Sequence, residues 1–309
     1  MTMKIAILLT GNLRSWRICC HILKKSILDH YDCDIFMSVD LKNNIQNENK
    51  NLPNDTSLNE LNDAINFYNP KKVYYATNYD FTDEYTKLKN IKTAKIYEKG
   101  TIDISFNNDV YAFSKSYDDT KINQIVPITF NNNYFKAIYA QYFNVLKCYE
   151  LMSEYSKDNN INYDIVMRLR FDHFILDTNT INIRSLFQTT DEQILYNDHN
   201  IEIAKHIDNI KIHLSYPADN SIYVIGAGSF CGYAYVNDWF WITNRNTASV
   251  VWVFYEHLIN IVKESCETYY PFYGAAIEHF FYKHLVKNNI MIKQSCITGQ
   301  VTRTLLKTN

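Results

Sequence analysis

Met3-Lys4-Ile5-Ala6-Ile7-Leu8-Leu9-Thr10 decides the fold, because it is a short apolar run that ends in a turn at Gly11-Asn12. Such a run followed by a turn predicts a buried strand. The residues that follow predict, in this order, a helix over about 13–30, a strand from Cys33 to Val39 that ends at Asp40, a polar loop over 42–57, a helix over 57–67 and a strand over 72–76. Strand, helix, strand, helix, strand is the beginning of a parallel α/β sheet.

The rest of the chain is less regular. Residues 78–130 have no sustained period and predict an irregular insertion with short strands. Apolar residues at steps of three and four predict a core-facing helix over about 133–157. After a loop-rich stretch over 177–220, we expect strands over 222–225, 229–235 and 290–293 and helices over 246–264 and 274–287.

Composition bounds the class of protein. The chain has 309 residues, 47% hydrophobic and 21% charged, which is typical of a globular protein and excludes a disordered chain or a small disulfide scaffold. A net charge of −2 gives no basic excess for nucleic-acid binding. No apolar window is long enough for a signal peptide or a membrane span. We therefore expect a soluble, cytoplasmic protein with no nucleic-acid partner.

Several well-known kinds of site are missing from the sequence. The seven cysteines form no CxxC pair, which argues against a zinc site and a disulfide framework. There is no P-loop, no GxSxG and no HExxH pattern. Gly226, Gly228 and Gly232 do not have the spacing of a dinucleotide-binding loop. The sequence therefore shows no motif that would supply the nucleophile of a hydrolase.

The most informative segment runs from Tyr163 to Ile175. Read as one strand, it places Arg168, Arg170 and Asp172 on one face and apolar side chains on the other. Such charges are costly to bury unless they are paired, and Asp172 falls at the carboxyl end of the strand, where ligands of α/β sheets bind. The face is either a site for an anionic ligand or a metal, or an internal Arg–Asp ion-pair ladder or a solvated edge.

Two later segments carry further candidate residues. Asp238 stands beside Trp239 and Trp241, and an acid with neighbouring aromatic rings suits a sugar platform. The alternative is a core strand with an acid in its turn. Glu278 and His279 lie on a predicted helix, where Glu278 either lines a pocket or is a solvated helix acid.

The first strand–helix turn supplies the other part of a candidate site. Backbone N–H groups at such a turn, over Thr10–Arg14, can face a nucleotide. Gly11 indicates a special backbone angle or a close ligand approach, although a plain tight turn is the alternative. Arginine or a divalent ion can neutralise a leaving diphosphate, and a carboxylate can take an acceptor proton. An enzyme that uses a nucleotide-diphosphate sugar needs these parts.

The order of motifs resembles a family of GT-A-type glycosyltransferases found in large DNA viruses, phages and some bacteria. The resemblance rests on Leu8-Leu9-Thr10-Gly11-Asn12-Leu13-Arg14-Ser15-Trp16, Tyr31-Asp32-Cys33-Asp34-Ile35-Phe36, the long helix with Tyr163-Asp164-Ile165-Val166-Met167-Arg168-Leu169-Arg170-Phe171-Asp172, Asn237-Asp238-Trp239-Phe240 and Ile277-Glu278-His279-Phe280-Phe281. It implies a GT-A-like, Rossmann-type mixed and mostly parallel sheet flanked by helices. It also implies a nucleotide-sugar donor and a glycan or other hydroxyl acceptor.

We accordingly expect a single domain over 1–309, with a nucleotide-binding half over about 1–176 and an acceptor-side half over about 177–309. The site residues that we predict fall into three groups. Those of the donor site are Thr10, Gly11, Asn12, Arg14, Asp40, Arg168, Arg170 and Asp172. The catalytic carboxylates are Asp238 and Glu278, and the acceptor side has Trp239, Trp241 and His279.

The sequence departs from the family pattern at two places. Arg170-Phe171-Asp172 stands where GT-A enzymes have the metal motif Asp-x-Asp, and Ala276-Ile277 stands where a proline precedes the glutamate. Two versions of the donor site follow: Asp172 coordinates Mn²⁺ or Mg²⁺, or Arg168 and Arg170 bind the phosphates without a metal. A catalytically inactive GT-A-like domain that binds a glycan or a partner, and a nucleotidyltransferase, are the alternative functions.

Overall fold

The structure is a computed structural model that describes residues 3–14, 16–41, 58–96, 100–107, 110–117, 124–128, 132–177, 214–230, 233–268, 276–295 and 297–301. The predicted polar loop over 42–57 lies outside the described residues, as does most of the predicted loop-rich stretch over 177–220. Among the helices described, none combines the length and apolar character that crossing a bilayer would need.

The described strands and helices have the following bounds. The strands are β1 (Lys4–Gly11), β2 (Asp32–Asp40), β3 (Lys72–Ala76), β4 (Thr93–Ile96), β5 (Gly100–Asn107), β6 (Val110–Tyr117), β7 (Gln124–Pro127), β8 (Ile165–Arg170), β9 (His173–Asp177), β10 (Ser221–Val224), β11 (Ala227–Phe230), β12 (Tyr233–Val236), β13 (Phe240–Thr243), β14 (Met291–Gln294) and β15 (Ile297–Val301). The helices are α1 (Trp16–Leu23), continued by a π-helical segment over Lys24–Leu28, α2 (Leu58–Tyr68), α3 (Thr82–Lys89), α4 (Asn132–Asp158), α5 (Arg245–Val251), α6 (Phe254–Thr268) and α7 (Ala276–Lys287).

The central sheet is mixed and mostly parallel. Within the described residues its order is β3-β2-β1-β8-β13-β10-β14-β6-β5. The first four strands are parallel, β13 and β6 run in the opposite direction, and β10, β14 and β5 return to the first direction. This arrangement confirms the predicted α/β class with a mixed, mostly parallel sheet, and it is compatible with a Rossmann-like fold.

Helices cover both faces of the sheet. Ile5, Ile7 and Leu9 of β1 pack in one apolar cluster with residues of α1 and α2. Ala6 and Leu8 belong to a second cluster on the opposite face, with residues of α4, α6 and α7. A parallel strand buried on both faces has to be apolar where it is covered, which is why residues 5–9 of β1 are all apolar.

The segment over 78–130 is more regular than the sequence predicts. It contains α3 and four strands, of which β5 and β6 pair antiparallel from Gly100↔Tyr117 to Asn107↔Val110. This hairpin extends the central sheet because β6 also pairs with β14 at Val110↔Lys293. The prediction of an irregular insertion is therefore wrong for this hairpin, while β4 and β7 agree with the short strands expected there.

The segment from Tyr163 to Ile175 is two strands rather than one. β8 ends at Arg170, Phe171 and Asp172 form a turn, and β9 begins at His173. β9 leaves the central sheet and pairs antiparallel with β15. Asp172 consequently lies just beyond the carboxyl end of β8, in the turn that redirects the chain.

Candidate active site at the carboxyl edge of the sheet

The strand order creates a topological switch point between β1 and β8. From β1 the chain adds β2 and then β3 on one side, and it later places β8 on the other side. These four strands are parallel, so Gly11, Asp40 and Arg170, which end β1, β2 and β8, lie at one edge. The crevice at the carboxyl ends of strands, where the order switches, is the usual ligand site of open α/β sheets.

The reversed strand β13 brings a further acid to the same edge. β13 pairs antiparallel with β8, with Phe240 opposite Leu169 and Thr243 opposite Val166. The chain therefore enters β13 at the edge where β8 ends. Asp238, two residues before β13, lies at that edge and is buried.

The turn after β1 depends on Gly11. Its φ is +104°, and a Cβ built there would meet nothing within 4 Å. The glycine is thus required by its backbone angle and not by a close contact inside the protein, which fits a special backbone angle and a plain tight turn alike. The turn continues through Asn12, whose buried Oδ1 has no hydrogen-bond partner among the described residues, to Arg14.

Asp172 joins two arginines from distant parts of the chain. Its Oδ2 accepts a hydrogen bond from Arg14 Nη1 at 3.2 Å, and its Oδ1 accepts one from Arg170 Nε at 3.1 Å. Burial by itself would raise the pKa of Asp172, but the two guanidinium charges outweigh it and the pKa lies below its ordinary value. The carboxylate is therefore ionised, and the ion-pair ladder considered for this segment is present as an Arg14–Asp172–Arg170 cluster.

Arg168 is a buried cation two residues before Arg170 on β8. Its Nε donates to Thr10 Oγ1 at 3.2 Å, and its Cζ lies 4.8 Å from the ring centroid of Trp241. Nη1 is buried with no hydrogen-bond partner among the described residues. Burial lowers the pKa of Arg168 to about 10, against the opposing effect of Asp238, so the group stays charged at neutral pH.

Asp238 is held by the long helix α4. Its Oδ2 accepts hydrogen bonds from the amide of Gln141 and from the hydroxyl of Tyr142, the latter at 3.3 Å. Its charge also raises the pKa values of Arg168 and Arg170, on the neighbouring strand. Asp238 is thus a carboxylate whose charge stabilises the buried Arg168 and Arg170, while its Oδ2 is bound by Gln141 and Tyr142.

Glu278, near the start of α7, has a different environment. Its side chain is half-buried, and Oε2 has no hydrogen-bond partner among the described residues. Burial, followed by the negative charge of Asp238, raises the pKa of Glu278 to about 7. A carboxyl group whose pKa is raised towards neutral pH is suited to exchange a proton at that pH. Because Oε2 of Glu278 has no partner among the described residues, whereas Oδ2 of Asp238 is bound by Gln141 and Tyr142, Glu278 is the more available of the two carboxyl groups.

The predicted aromatic platform is only partly accessible. Trp241 is fully buried, stacks on Phe281 at 4.6 Å and contacts Trp252. It is a core residue, and the prediction that it contacts an acceptor is wrong for the structure as it stands. Trp239 is half-buried, and its backbone N–H donates to Asn237 Oδ1.

His279 and Asp40 lie at the margins of the site. The ring of His279 is buried and its Nδ1 is 2.7 Å from the carbonyl oxygen of Ala234, which favours a positioning role for this side chain. Asp40 is buried at the end of β2. Its charge contributes to raising the pKa of Tyr79, after the larger effect of burial.

Sequence reasoning missed the polar side chains that α4 contributes. Gln141 binds Asp238, and Asn144 accepts a hydrogen bond from Ser38 at 2.7 Å and donates to Tyr79 at 2.6 Å. Gln141 and Asn144 lie one helical turn apart beside the apolar stripe of this helix. Polar residues at such a spacing are the signal that could have found them.

His173 is a second residue that the sequence did not single out. Its ring is buried beside Phe240, and neither nitrogen has a hydrogen-bond partner among the described residues. Burial lowers the pKa of His173 to about 3, although the neighbouring Asp172 acts in the opposite direction. The ring is therefore neutral at pH 7.

The donor set does not suit a divalent cation. Mn²⁺ and Mg²⁺ prefer several oxygen ligands. In the described parts of the chain, no three His, Cys, Asp or Glu side chains come together in a way that could hold a metal. Both oxygens of Asp172, the predicted ligand, already accept from guanidinium groups, whose charges would repel a metal ion. Asp172 is consequently a poor metal ligand in this arrangement.

Comparison of the sequence with protein-family models finds no match, and a search of curated proteins finds no significant one.

Proposed function

We propose that the protein is a GT-A-type glycosyltransferase that moves a sugar from a nucleotide-diphosphate sugar to a hydroxyl group of a glycan or another acceptor. One observation carries the proposal. A cluster of arginines and a carboxyl group with a pKa near 7 lie around one carboxyl edge of the sheet, linked through Asp238. This pairing supplies both of the charges that such a transfer needs.

The arginines would bind the diphosphate of the donor. Arg14 and Arg170 reach the surface with 17% and 16% of their side chains, and Arg168 adds a buried charge behind them. Guanidinium groups bind phosphate oxygens through charge-assisted, often bidentate hydrogen bonds. The turn after β1 lies beside them, so a nucleotide diphosphate would meet backbone N–H groups and cationic side chains together.

Glu278 would act as the base that activates the acceptor hydroxyl. In the transfer, the acceptor oxygen forms a bond to the anomeric carbon, while the bond from that carbon to the diphosphate oxygen breaks. The electron pair leaves with the diphosphate, and Glu278 in its ionised form takes the acceptor proton. A pKa of about 7 leaves a substantial fraction ionised at neutral pH while keeping the group basic enough to accept the proton.

Asp238 has a supporting part in this scheme. Its Oδ2 is bound by Gln141 and Tyr142, and its charge offsets Arg168 and Arg170. Its charge is also, after burial, the second cause of the raised pKa of Glu278. The sequence predicts both Asp238 and Glu278 as catalytic carboxylates, and in this proposal Glu278 is the one that takes the proton.

The test is a screen for donor hydrolysis with nucleotide sugars, since many transferases hydrolyse the donor slowly without an acceptor. We expect release of the nucleoside diphosphate from one donor, and a thermal shift with the matching nucleotide, UDP or GDP, but none with CMP. Binding at a hundredfold excess over Kd stabilises a protein by about 2.7 kcal/mol. Glu278→Gln should lower the rate by about 10²–10⁴-fold, whereas the exposed Glu267→Gln serves as the matched control and should not.

The same screen separates the alternatives. An inactive GT-A-like binding domain is favoured by one observation, the pairing of both Asp172 oxygens inside the protein. Such a domain would bind a glycan and turn over no donor. Release of inorganic pyrophosphate from a nucleoside triphosphate would instead identify a nucleotidyltransferase. Either result would contradict the proposed sugar transfer.

A further inference from the structure

We propose that the Arg14–Asp172–Arg170 cluster binds a diphosphate group without a divalent cation, with Asp172 as the residue that positions the two arginines. The inference deepens the proposed function by describing how the donor's diphosphate is held. The anion site itself can be tested with inorganic pyrophosphate, independently of any sugar donor.

In this cluster, which we call the clamp, the buried carboxylate of Asp172 holds the guanidinium groups of Arg14 and Arg170 from the inner side. Arg14 lies in the turn after β1 and Arg170 at the end of β8, and each donates to a different oxygen of Asp172. The carboxylate is 1% exposed, while the two arginine side chains keep 17% and 16% of their surface. The buried carboxylate thus fixes two guanidinium groups whose outer parts reach the crevice. The guanidinium of Arg170 has five N–H donors, and among the described residues Asp172 accepts from its Nε.

Repulsion between two arginines of β8 favours an anion. Among the described residues, the charges near the cluster are those of Arg14, Arg168 and Arg170 and of the carboxylates Asp172 and Asp238, and Asp40 ends the neighbouring strand β2. Arg168 and Arg170 repel one another, and this repulsion contributes to the lowered pKa of Arg168, after burial. An anion bound at the outer side of the clamp would relieve the repulsion, since opposite charges at short range stabilise each other more strongly in a partly buried site than in water.

A divalent cation would have to undo this arrangement. To coordinate Asp172 it would need to displace at least one of the two guanidinium groups from the carboxylate oxygens. The displaced arginine and Arg168 would then face the metal with like charge. The arginines therefore perform the charge neutralisation that a metal ion performs in other phosphate sites.

The experiment is a calorimetric titration of the full chain with inorganic pyrophosphate in the presence of EDTA. We expect binding of pyrophosphate without metal, and no binding of Mn²⁺ alone at Asp172. Arg14→Ala and Arg170→Ala should each weaken pyrophosphate binding by about 10–100-fold, the usual range for a hydrogen bond to a charged group. The matched control is Arg17→Ala, which removes the same charge from an exposed pair with Asp63 and should change affinity far less.

Asp172→Asn gives the sharpest result because the two explanations predict opposite signs. The variant makes the cluster more positive, so a purely electrostatic role would strengthen pyrophosphate binding. A positioning role predicts weaker binding, since the amide has one oxygen acceptor for two arginines. If this variant does not fold, Arg14→Lys is the alternative test. Lysine keeps the positive charge but lacks the planar, forked guanidinium, so pyrophosphate binding should still weaken.

The outcomes separate this inference from the proposed function. Pyrophosphate binding that needs Mn²⁺ or Mg²⁺, or Mn²⁺ binding that Asp172→Asn abolishes, would overturn the metal-free clamp, and sugar transfer could still stand. Metal-free pyrophosphate binding that depends on Arg14 and Arg170, with no turnover of any nucleotide sugar, would support the clamp and contradict the proposed function.

Discussion

The guanidinium of Arg168 lies over the indole of Trp241, with Cζ 4.8 Å from the ring centroid, in a place where both side chains are buried. The two residues are opposite one another on β8 and β13. An aromatic face attracts a cation more strongly when water is excluded. Trp241 therefore stabilises a buried positive charge, which is a different task from stacking on a sugar.

This relationship predicts a stability effect at Trp241. Trp241→Ala should destabilise the fold by about 3–5 kcal/mol, as for other buried aromatic residues, because it leaves a cavity beside Phe281 and removes the face over Arg168. Urea unfolding measures the change. Trp239→Ala is the matched control, since Trp239 is only half-buried. An equal loss in both variants would contradict the core assignment.

The raised pKa of Glu278 predicts that activity rises with pH. The ionised form takes the proton, so the rate should increase through about pH 7 and level off above it. The folded-state pKa is raised above the unfolded value, so this group's stabilising contribution is complete below the unfolded pKa and is lost as pH rises through about 7. Melting temperatures of the wild type and Glu278→Gln should therefore diverge between pH 5 and 8. Parallel curves would show that the pKa is not raised.

The lowered pKa of His173 predicts that the folded state loses stability in acid. Its folded-state pKa of about 3 lies below the unfolded value of 6.5, so its contribution is present above pH 6.5 and is lost as pH falls towards 3. The slope for one such proton is at most about 1.4 kcal/mol per pH unit. His173→Phe should flatten the stability curve below pH 6.5, whereas the exposed His30→Gln should leave it unchanged. A curve that keeps its slope in His173→Phe would assign the acid sensitivity elsewhere.

The backbone angle of Gly11 predicts that a substitution there is strained even though the new side chain meets no neighbouring atom. Its φ of +104° is unfavourable for any residue with a Cβ, so Gly11→Ala should cost roughly 1–3 kcal/mol, although nothing lies within 4 Å of the new atom. Gly226 has equal room and no such angle, so Gly226→Ala should be close to neutral. Thermal unfolding of the two variants compares them directly. Equal melting temperatures would mean that the turn relaxes without cost.

The elements with a local signal could be predicted from the sequence. β1, β2, β3 and α4 follow from apolar runs and helical spacing, and each lies within a few residues of the expected range. The β5–β6 hairpin is not among the predicted strands, although Ile102, Ile104 and Phe106 alternate with polar residues in the way that is typical of a half-buried strand. Its place in the sheet depends on β14, almost two hundred residues away along the chain, which no local pattern shows.

The candidate site could be predicted in its members but not in its geometry. Arg14 and Asp172 are both predicted from the sequence as donor-site residues, yet their contact joins positions 158 residues apart. The raised pKa of Glu278 and the burial of Trp241 arise from tertiary packing, which sequence neighbours do not encode. The residue types indicated charge and aromaticity, and the strand order determined which of them meet.

The place of β8 also bears on any attempt to divide the chain. β8 hydrogen-bonds on one side to β1 and on the other to β13, so the first and second halves of the sequence share one continuous sheet across it. A fragment that stopped before residue 178 would expose the edge of β8 that pairs with β13, from Val166 to Leu169, and open edges of apolar strands recruit other chains. Co-expression of the two fragments, each supplying the missing neighbour of the other, is the form in which a split version of this protein should remain in solution.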